Sequence, residues 1–267
     1  VVWYIKFKTI MFKNILKGLT SYQDSLKLIN ELKLWKFFLV PMAISFLFGM
    51  AIFFAAYGLS EYLGRFFAKA WIWEWGKETF TNIATGLGGL VILFLGFILY
   101  KHVVMALSAP FMSPVSERIE EHLYPQARNQ VPYRDTTNME QLWRGLRITL
   151  RNITYELTLT IPLLLLSFIP VAGIFFTILA FVIQAYYAGF GNIDYTLERH
   201  LKYKDSIHFV KRHRGIAIGI GIVFMGMLFI PVIGVILVLP FSVTAASRVT
   251  LEEMIKEENL NLPHPDR

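Results

Sequence analysis

The side chains able to do chemistry are gathered in a few places. His200, His208 and His213 share a basic stretch with Lys211, Arg212 and Arg214. Steps of eight and five residues do not set three imidazoles on one helix face, so the stretch reads as basic surface facing water or lipid headgroups, and no metal centre is expected. Glu117, Glu120 and Glu121 could supply paired carboxylates, yet their spacing suits the solvated face of an amphipathic helix. The chain has no cysteine, which removes thiol chemistry and disulfides. Gly-x-Ser-x-Gly, Walker and dinucleotide fingerprints are also missing, so neither a soluble enzyme nor a cofactor is expected. What remains is cationic: Lys33 and Lys36 on either side of Trp35, and the pair Arg212 and Arg214. Both sets stand just ahead of long uncharged runs. Cations there can hold a small anion, helped by the N–H groups of a helix N-terminus, or can snorkel to lipid phosphate.

The elements that carry these side chains are defined by where charge is missing. Charged residues make up 17% of the chain and hydrophobic residues 55%, against roughly 25% charged in a soluble domain. Phe37 to Tyr57 is uncharged over 21 residues, roughly 31 Å of helix and one hydrocarbon thickness. Thr79 to Tyr100 is a second such run of 22 residues, followed by Lys101 and His102, which can snorkel. Trp71, Trp73 and Trp75 between the runs suit the headgroup level. Residues 12–33 repeat apolar side chains at three- and four-residue steps, as an amphipathic helix lying in the interface would. Ala109-Pro110-Phe111 is expected to interrupt a helix, and Thr137-Asn138-Met139-Glu140 to start one with a capping box. One membrane domain is expected over residues 11–255, with a polar tail at 256–267. Val1 to Ile10 are expected to lie upstream of the native start at Met11.

Two further uncharged runs, Leu157 to Ile193 and Gly215 to Ser247, hold 37 and 33 residues. Each is too long for one span and short for two. Each carries a near copy of the same turn: Ile169-Pro170-Val171-Ala172-Gly173 and Ile230-Pro231-Val232-Ile233-Gly234, 61 residues apart. Pro stops a helix and Gly permits positive φ, so the chain is expected to reverse at Pro170, Gly173, Pro231 and Gly234. Lys and Arg number seven through residue 36, three in 58–79, seven in 101–156 and six in 194–214. The positive-inside rule then puts the amino terminus and both basic blocks in the cytoplasm, so each hairpin enters and leaves by one face. The expected fold is all-α and integral to the membrane: two full transmembrane helices, two partly penetrating helical hairpins and an amphipathic N-terminal helix. A turn at mid-bilayer must cover its backbone groups, which argues for a homo-oligomer, an aqueous cavity, or both. Gly215-x-x-x-Gly219 and Gly86, Gly88 and Gly89 offer small surfaces for close helix contact.

Taken together, Ala109-Pro110-Phe111 with Ser116-Glu117-Arg118, Ile169-Pro170-x-x-Gly173, Gln184, Asp194-Tyr195 and Ile230-Pro231 with Pro240 resemble the CysZ family of bacterial sulfate permeases, which includes the eukaryotic etoposide-induced membrane proteins. The resemblance runs from about Lys13 to Glu253. It implies two long spans with two partly penetrating hairpins, sulfate uptake for cysteine synthesis across the bacterial inner membrane, and membrane lipid and a small oxyanion as partners. In sulfate-handling members a Gly-x-Arg-Arg stretch before the first span resembles an anion site. Lys33-Leu34-Trp35-Lys36 stands at those positions, keeping one charge at Lys36 and replacing another with Trp35. Nucleic acid is not an expected partner, because the basic residues flank membrane runs. Two functions follow from the resemblance: permeation of sulfate or a similar oxyanion, and a non-transport role in membrane organisation.

Overall fold

The computed structural model describes residues 2–69, 76–125, 134, 137–167, 169–230 and 232–261, and every element among them is an α-helix. The helices are α1 (Val2–Thr20), α2 (Ser25–Glu31), α3 (Trp35–Ala68), α4 (Lys77–Leu123), α5 (Asn138–Leu166), α6 (Ala172–His200), α7 (Tyr203–Arg212), α8 (Arg214–Leu228) and α9 (Ile233–Asn261). Trp71, Trp73, Trp75, Pro132 and Pro231 lie outside the described residues. Four segments are long and apolar enough to cross a membrane: Trp35–Phe66, Lys77–Leu123, Ala172–His200 and Ile233–Glu258. Large side chains such as Leu47, Phe53, Leu90 and Ile174 face outward along them, the inverse of a soluble protein and the expected surface of a chain dissolved in lipid.

α3 and α4 form a long antiparallel pair. Gly88 lies against Leu63 and Ser60, so that part of the predicted glycine surface is a helix contact, whereas Gly86 faces open space. α6 is the central helix, packed on α4, α5, α8 and α9. Its C-terminal half is buried nearly all round, with Ala185, Ala188, Phe190 and Leu197 at 0% exposure. α8 passes so close that a Cβ on Gly221 would stand 1.7 Å from the Ala185 carbonyl oxygen. Its other face receives α1, where a Cβ on Gly219 would meet the Ile15 carbonyl oxygen at 2.2 Å. The predicted Gly215-x-x-x-Gly219 surface is therefore a contact with the N-terminal helix.

Two expectations change. Residues 12–33 are not one helix: α1 ends at Thr20, and Asp24 at φ 66° turns the chain into α2. The turn is pinned by Tyr22, whose hydroxyl donates to the Ile220 carbonyl at 2.9 Å and lies 2.6 Å from the Ser242 hydroxyl. Burial pushes that phenol above its ordinary pKa, so it remains a donor. Ala109-Pro110-Phe111 does not interrupt α4, which carries Pro110 and Pro114 inside it and ends at Leu123. Ala109, Met112 and Val115 are buried on its inner face, and this packing outweighs the backbone bonds that the prolines remove. α9 continues to Asn261.

The two hairpins are present, and their turns are made differently from expectation. Positive φ falls on Val171 and Val232, at 66° and 61°, and not on the glycines. A β-branched residue is an outlier there, so two at equivalent positions mark one device used twice. The glycines supply room instead. A Cβ on Gly173 would stand 2.0 Å from the Ser167 carbonyl oxygen, and one on Gly234 would stand 1.8 Å from that of Met227. Each turn also closes its own backbone, with Gly173 N–H donating to Ile169 and Gly234 N–H to Ile230 at 2.7 and 3.0 Å. This lowers the need for outside cover, and Val171 is 93% exposed.

Candidate functional site

A file of buried charge runs through the centre of the bundle, between α4, α6 and their neighbours. At one end Lys101 of α4, fully buried, donates from Nζ to Glu156 Oε1 of α5. His102 Nε2 lies 2.7 Å from the other oxygen of the same carboxylate. Further along, Arg144 grips Asp194 of α6 through two bonds of 3.0 Å and reaches the Ser206 hydroxyl of α7 at 2.5 Å. At the far end Glu120 Oε2 of α4 accepts from Arg199 Nη2 at 2.7 Å and faces His200 Nε2 at 3.1 Å. Arg199 also donates to the Ser113 carbonyl and to the Ser116 hydroxyl. Ser116, Thr196 and Ser247 continue the polar line across α4, α6 and α9. From Lys101 to Glu120 is 19 residues, roughly 28 Å along α4.

Local sequence explains the placement. The capping box forms as expected, Glu140 N–H donating to Thr137 Oγ1 at 3.3 Å and Thr137 N–H to Glu140 Oε2 at 3.0 Å, and it starts α5 so that Arg144, Asn152 and Glu156 turn inward. Their steps of eight and four residues keep them on one face. Arg134 holds the C-terminal end of α6, its N–H accepted by the Arg199 carbonyl and Nη1 donating to the Leu201 carbonyl at 3.1 Å. The file is closed as it stands. Lys101, Arg144 and Arg199 are each matched with a carboxylate. The cavity between His102, Asn152, Asp194 and Glu198 is only about 20 Å³, the room of a single water. Buried Arg144 Nε has no hydrogen-bond partner among the described residues.

These positions correct the sequence reading. Lys101 and His102 do not snorkel, because Glu156 from α5 meets both inside the bundle. Glu120 and His200 are not on solvated faces; they meet each other and Arg199. The signal in the sequence was Glu156 and Asp194, the carboxylates at the two ends of the apolar run Leu157 to Ile193, where a charge needs a partner. Among the described residues no group of three or more His, Cys, Asp or Glu could hold a metal.

The predicted cations divide. Lys33, at φ 51°, lies in the turn ahead of α3 and is exposed. Trp35 Nε1 donates to Asn30 Oδ1 at 2.7 Å, so the ring is tied back to α2. Lys36 Nζ lies 5.1 Å from the centre of the Phe37 ring, and Arg118 of α4 lies 5.1 Å from the same centre. The structure thus brings a second cation to the Phe37 ring that the sequence, with Trp35 in line, had not placed there. Arg212 is held in a bidentate pair with Glu257 of α9, at 3.0 and 2.7 Å, and so clasps α7 to α9. The contacts around Arg212 and those around Lys36 share no residue.

A family model described as sulfate transporter CysZ/etoposide-induced protein 2.4 matches residues 21–239. The chain belongs to that family. A protein named sulfate transporter CysZ from Pseudomonas aeruginosa strain LESB58 is 25% identical over 241 residues, covering 89% of this chain and 96% of its own. One of the same name from Pseudomonas fluorescens is 25% identical over 251 residues, covering 93% and 98%. A third, from Pseudomonas syringae pv. tomato, is 26% identical over 241 residues, covering 89% and 93%. Membership and the four long apolar helices make this CysZ-family chain a multi-pass membrane protein.

Proposed function

We propose that this CysZ-family chain is a permease for sulfate or a similar small oxyanion in the bacterial inner membrane, working as a homo-oligomer with its termini in the cytoplasm. The observation that carries the reading is the file from Lys101 to Glu120 inside a lipid-facing bundle. Buried ionisable groups at that depth are costly and mark ion pathways. Three cations spaced along it can bind an oxyanion in turn, each exchanging its carboxylate for the passing ion, with Arg144 Nε as a ready donor. Without an ATP-binding motif, the driving force comes from ion gradients, whether the oxyanion's own or that of a coupled ion. Uptake of radiolabelled sulfate into proteoliposomes, with sulfite and chloride as competitors, tests this directly. Folded protein that admits no sulfate above empty vesicles would overturn it.

On the same reading the anion approaches through Lys33, Lys36 and Arg118, at the N-terminal end of α3. Lys33→Gln with Lys36→Gln is expected to slow sulfate uptake by up to about thirtyfold, two exposed charges contributing around 1 kcal/mol or less each. Arg118→Gln added to them should slow it further, and Trp35→Arg should raise it. Unchanged uptake in the triple variant would remove the site. Arg212 and Arg214 form a second basic group on the same aqueous side. For the topology, cysteines placed singly at Gln130 and at Lys204 in this cysteine-free chain should both label from the cytoplasmic face. Labelling from opposite faces would refute the arrangement in which each hairpin enters and leaves by one side.

A further inference from the structure

Between the α3–α4 pair and the tips of the two hairpins lies an open crevice of about 1070 Å³. Its walls are apolar, Phe53 and Phe97 on one side and Phe181 and Met225 on the other, and Tyr100 and Gln184 line it as well. These last two mark the near end of the charged file. Lys101 follows Tyr100 in α4, and its Nζ donates to the Gln184 carbonyl at 3.5 Å. The Tyr100 hydroxyl is itself committed to the Val235 carbonyl at 2.9 Å.

The depth of the crevice identifies what fills it. Its α3 wall, Phe46 to Phe54, lies within the uncharged run from Phe37 to Tyr57, so the medium outside is hydrocarbon. Phe46 and Phe53 belong both to the wall and to the lipid-facing surface, being 42% and 62% exposed. Water is a poor occupant, since a buried water needs two to four polar partners and the Thr177 hydroxyl is already bonded to the Gly173 carbonyl at 2.9 Å. We propose that an acyl chain of a bilayer phospholipid occupies this crevice and seals the charged file at Tyr100 and Gln184. Occupancy stands on the geometry alone; the sealing role rests on the permease reading. Sulfate then passes only when the chain withdraws, so lipid chain length and packing regulate flux.

Two variants test occupancy. Ala180 lines the crevice and is 2% exposed; Ala180→Cys in liposomes should resist a charged thiosulfonate reagent at least tenfold more than exposed Lys204→Cys. Gly49 borders the crevice, and a Cβ there meets Val235 Cγ1 at 3.5 Å, an ordinary contact. Gly49→Phe should fill the space and lower the phospholipid retained per chain in native mass spectra by one, with Gly49→Leu as the milder variant if Phe prevents folding. A rapid aqueous reaction at Ala180→Cys would replace the lipid with a water vestibule. A disulfide between copies at Met50→Cys would replace it with a second chain. For sealing, Gly49→Phe cannot withdraw and should lower sulfate uptake at least tenfold; unchanged uptake overturns sealing alone. If the wild type moves no sulfate, the permease reading fails while the thiol and lipid measurements still judge occupancy.

Discussion

Replacing Glu156 with Ala is expected to prevent recovery of folded protein, whereas Lys101→Met with Glu156→Leu is expected to restore the fold and leave sulfate uptake abolished. Both side chains are at 0% exposure. Removing the carboxylate alone strands a buried ammonium, which costs about 3–5 kcal/mol. That is a large part of the stability of an ordinary domain. Removing both charges in favour of apolar groups of similar size is neutral or stabilising for many buried pairs. His102 loses its partner in the double variant but can remain neutral, so no charge is stranded. Size-exclusion elution and thermal unfolding in detergent report the fold, and vesicle uptake reports the path. If the double variant is folded and transports sulfate normally, Lys101 and Glu156 are a structural pair and the file is not the path.

Gly173→Leu and Gly234→Leu should each lower stability by at least ~3 kcal/mol, the upper part of the usual overpacking range. Gly58→Leu should change it by less than about 0.5 kcal/mol. The contrast follows from what a Cβ meets. At the two turns it falls within 2.0 Å of a backbone carbonyl oxygen, which cannot move without opening the hairpin. At Gly58 it meets nothing within 4 Å. Thermal unfolding in detergent separates these cases, and oligomer size by light scattering shows whether a loosened tip also disturbs association. Equal loss at Gly58 would mean that glycine matters in these helices for some reason other than space at the turns.

The clasp formed by α1 and α7 on the end of α9 has a bearing on both results. Lys17 pairs with Glu252 at 2.7 Å and also with Glu253, while Arg212 pairs with Glu257. These contacts join the N-terminal helix to the C-terminal one. Partly exposed pairs of this kind contribute little singly, so the close packing of α1 on Gly219 carries most of the attachment.

The lipid-facing class, the two long helices, the two helical hairpins and the start of α5 after Thr137 were legible in the residues alone. All of these follow from local pattern: uncharged runs of bilayer length, a repeated turn and a capping box. The sequence also brought out Lys36, at the boundary where an apolar run begins. Only the tertiary structure decided the fate of Lys101, His102, Glu120 and His200. A cation at the end of an apolar run looks the same in sequence whether it reaches for headgroups or for a carboxylate 55 residues away. The choice depends on which helix packs beside it. Arg118 at the Phe37 ring is the same case, since α3 and α4 run antiparallel and bring residues distant in sequence to one ring. At the turns, too, the pattern marked the glycines but not their work. Positive φ and close approach both favour glycine, and only the folded backbone shows that Val171 takes the first and Gly173 the second.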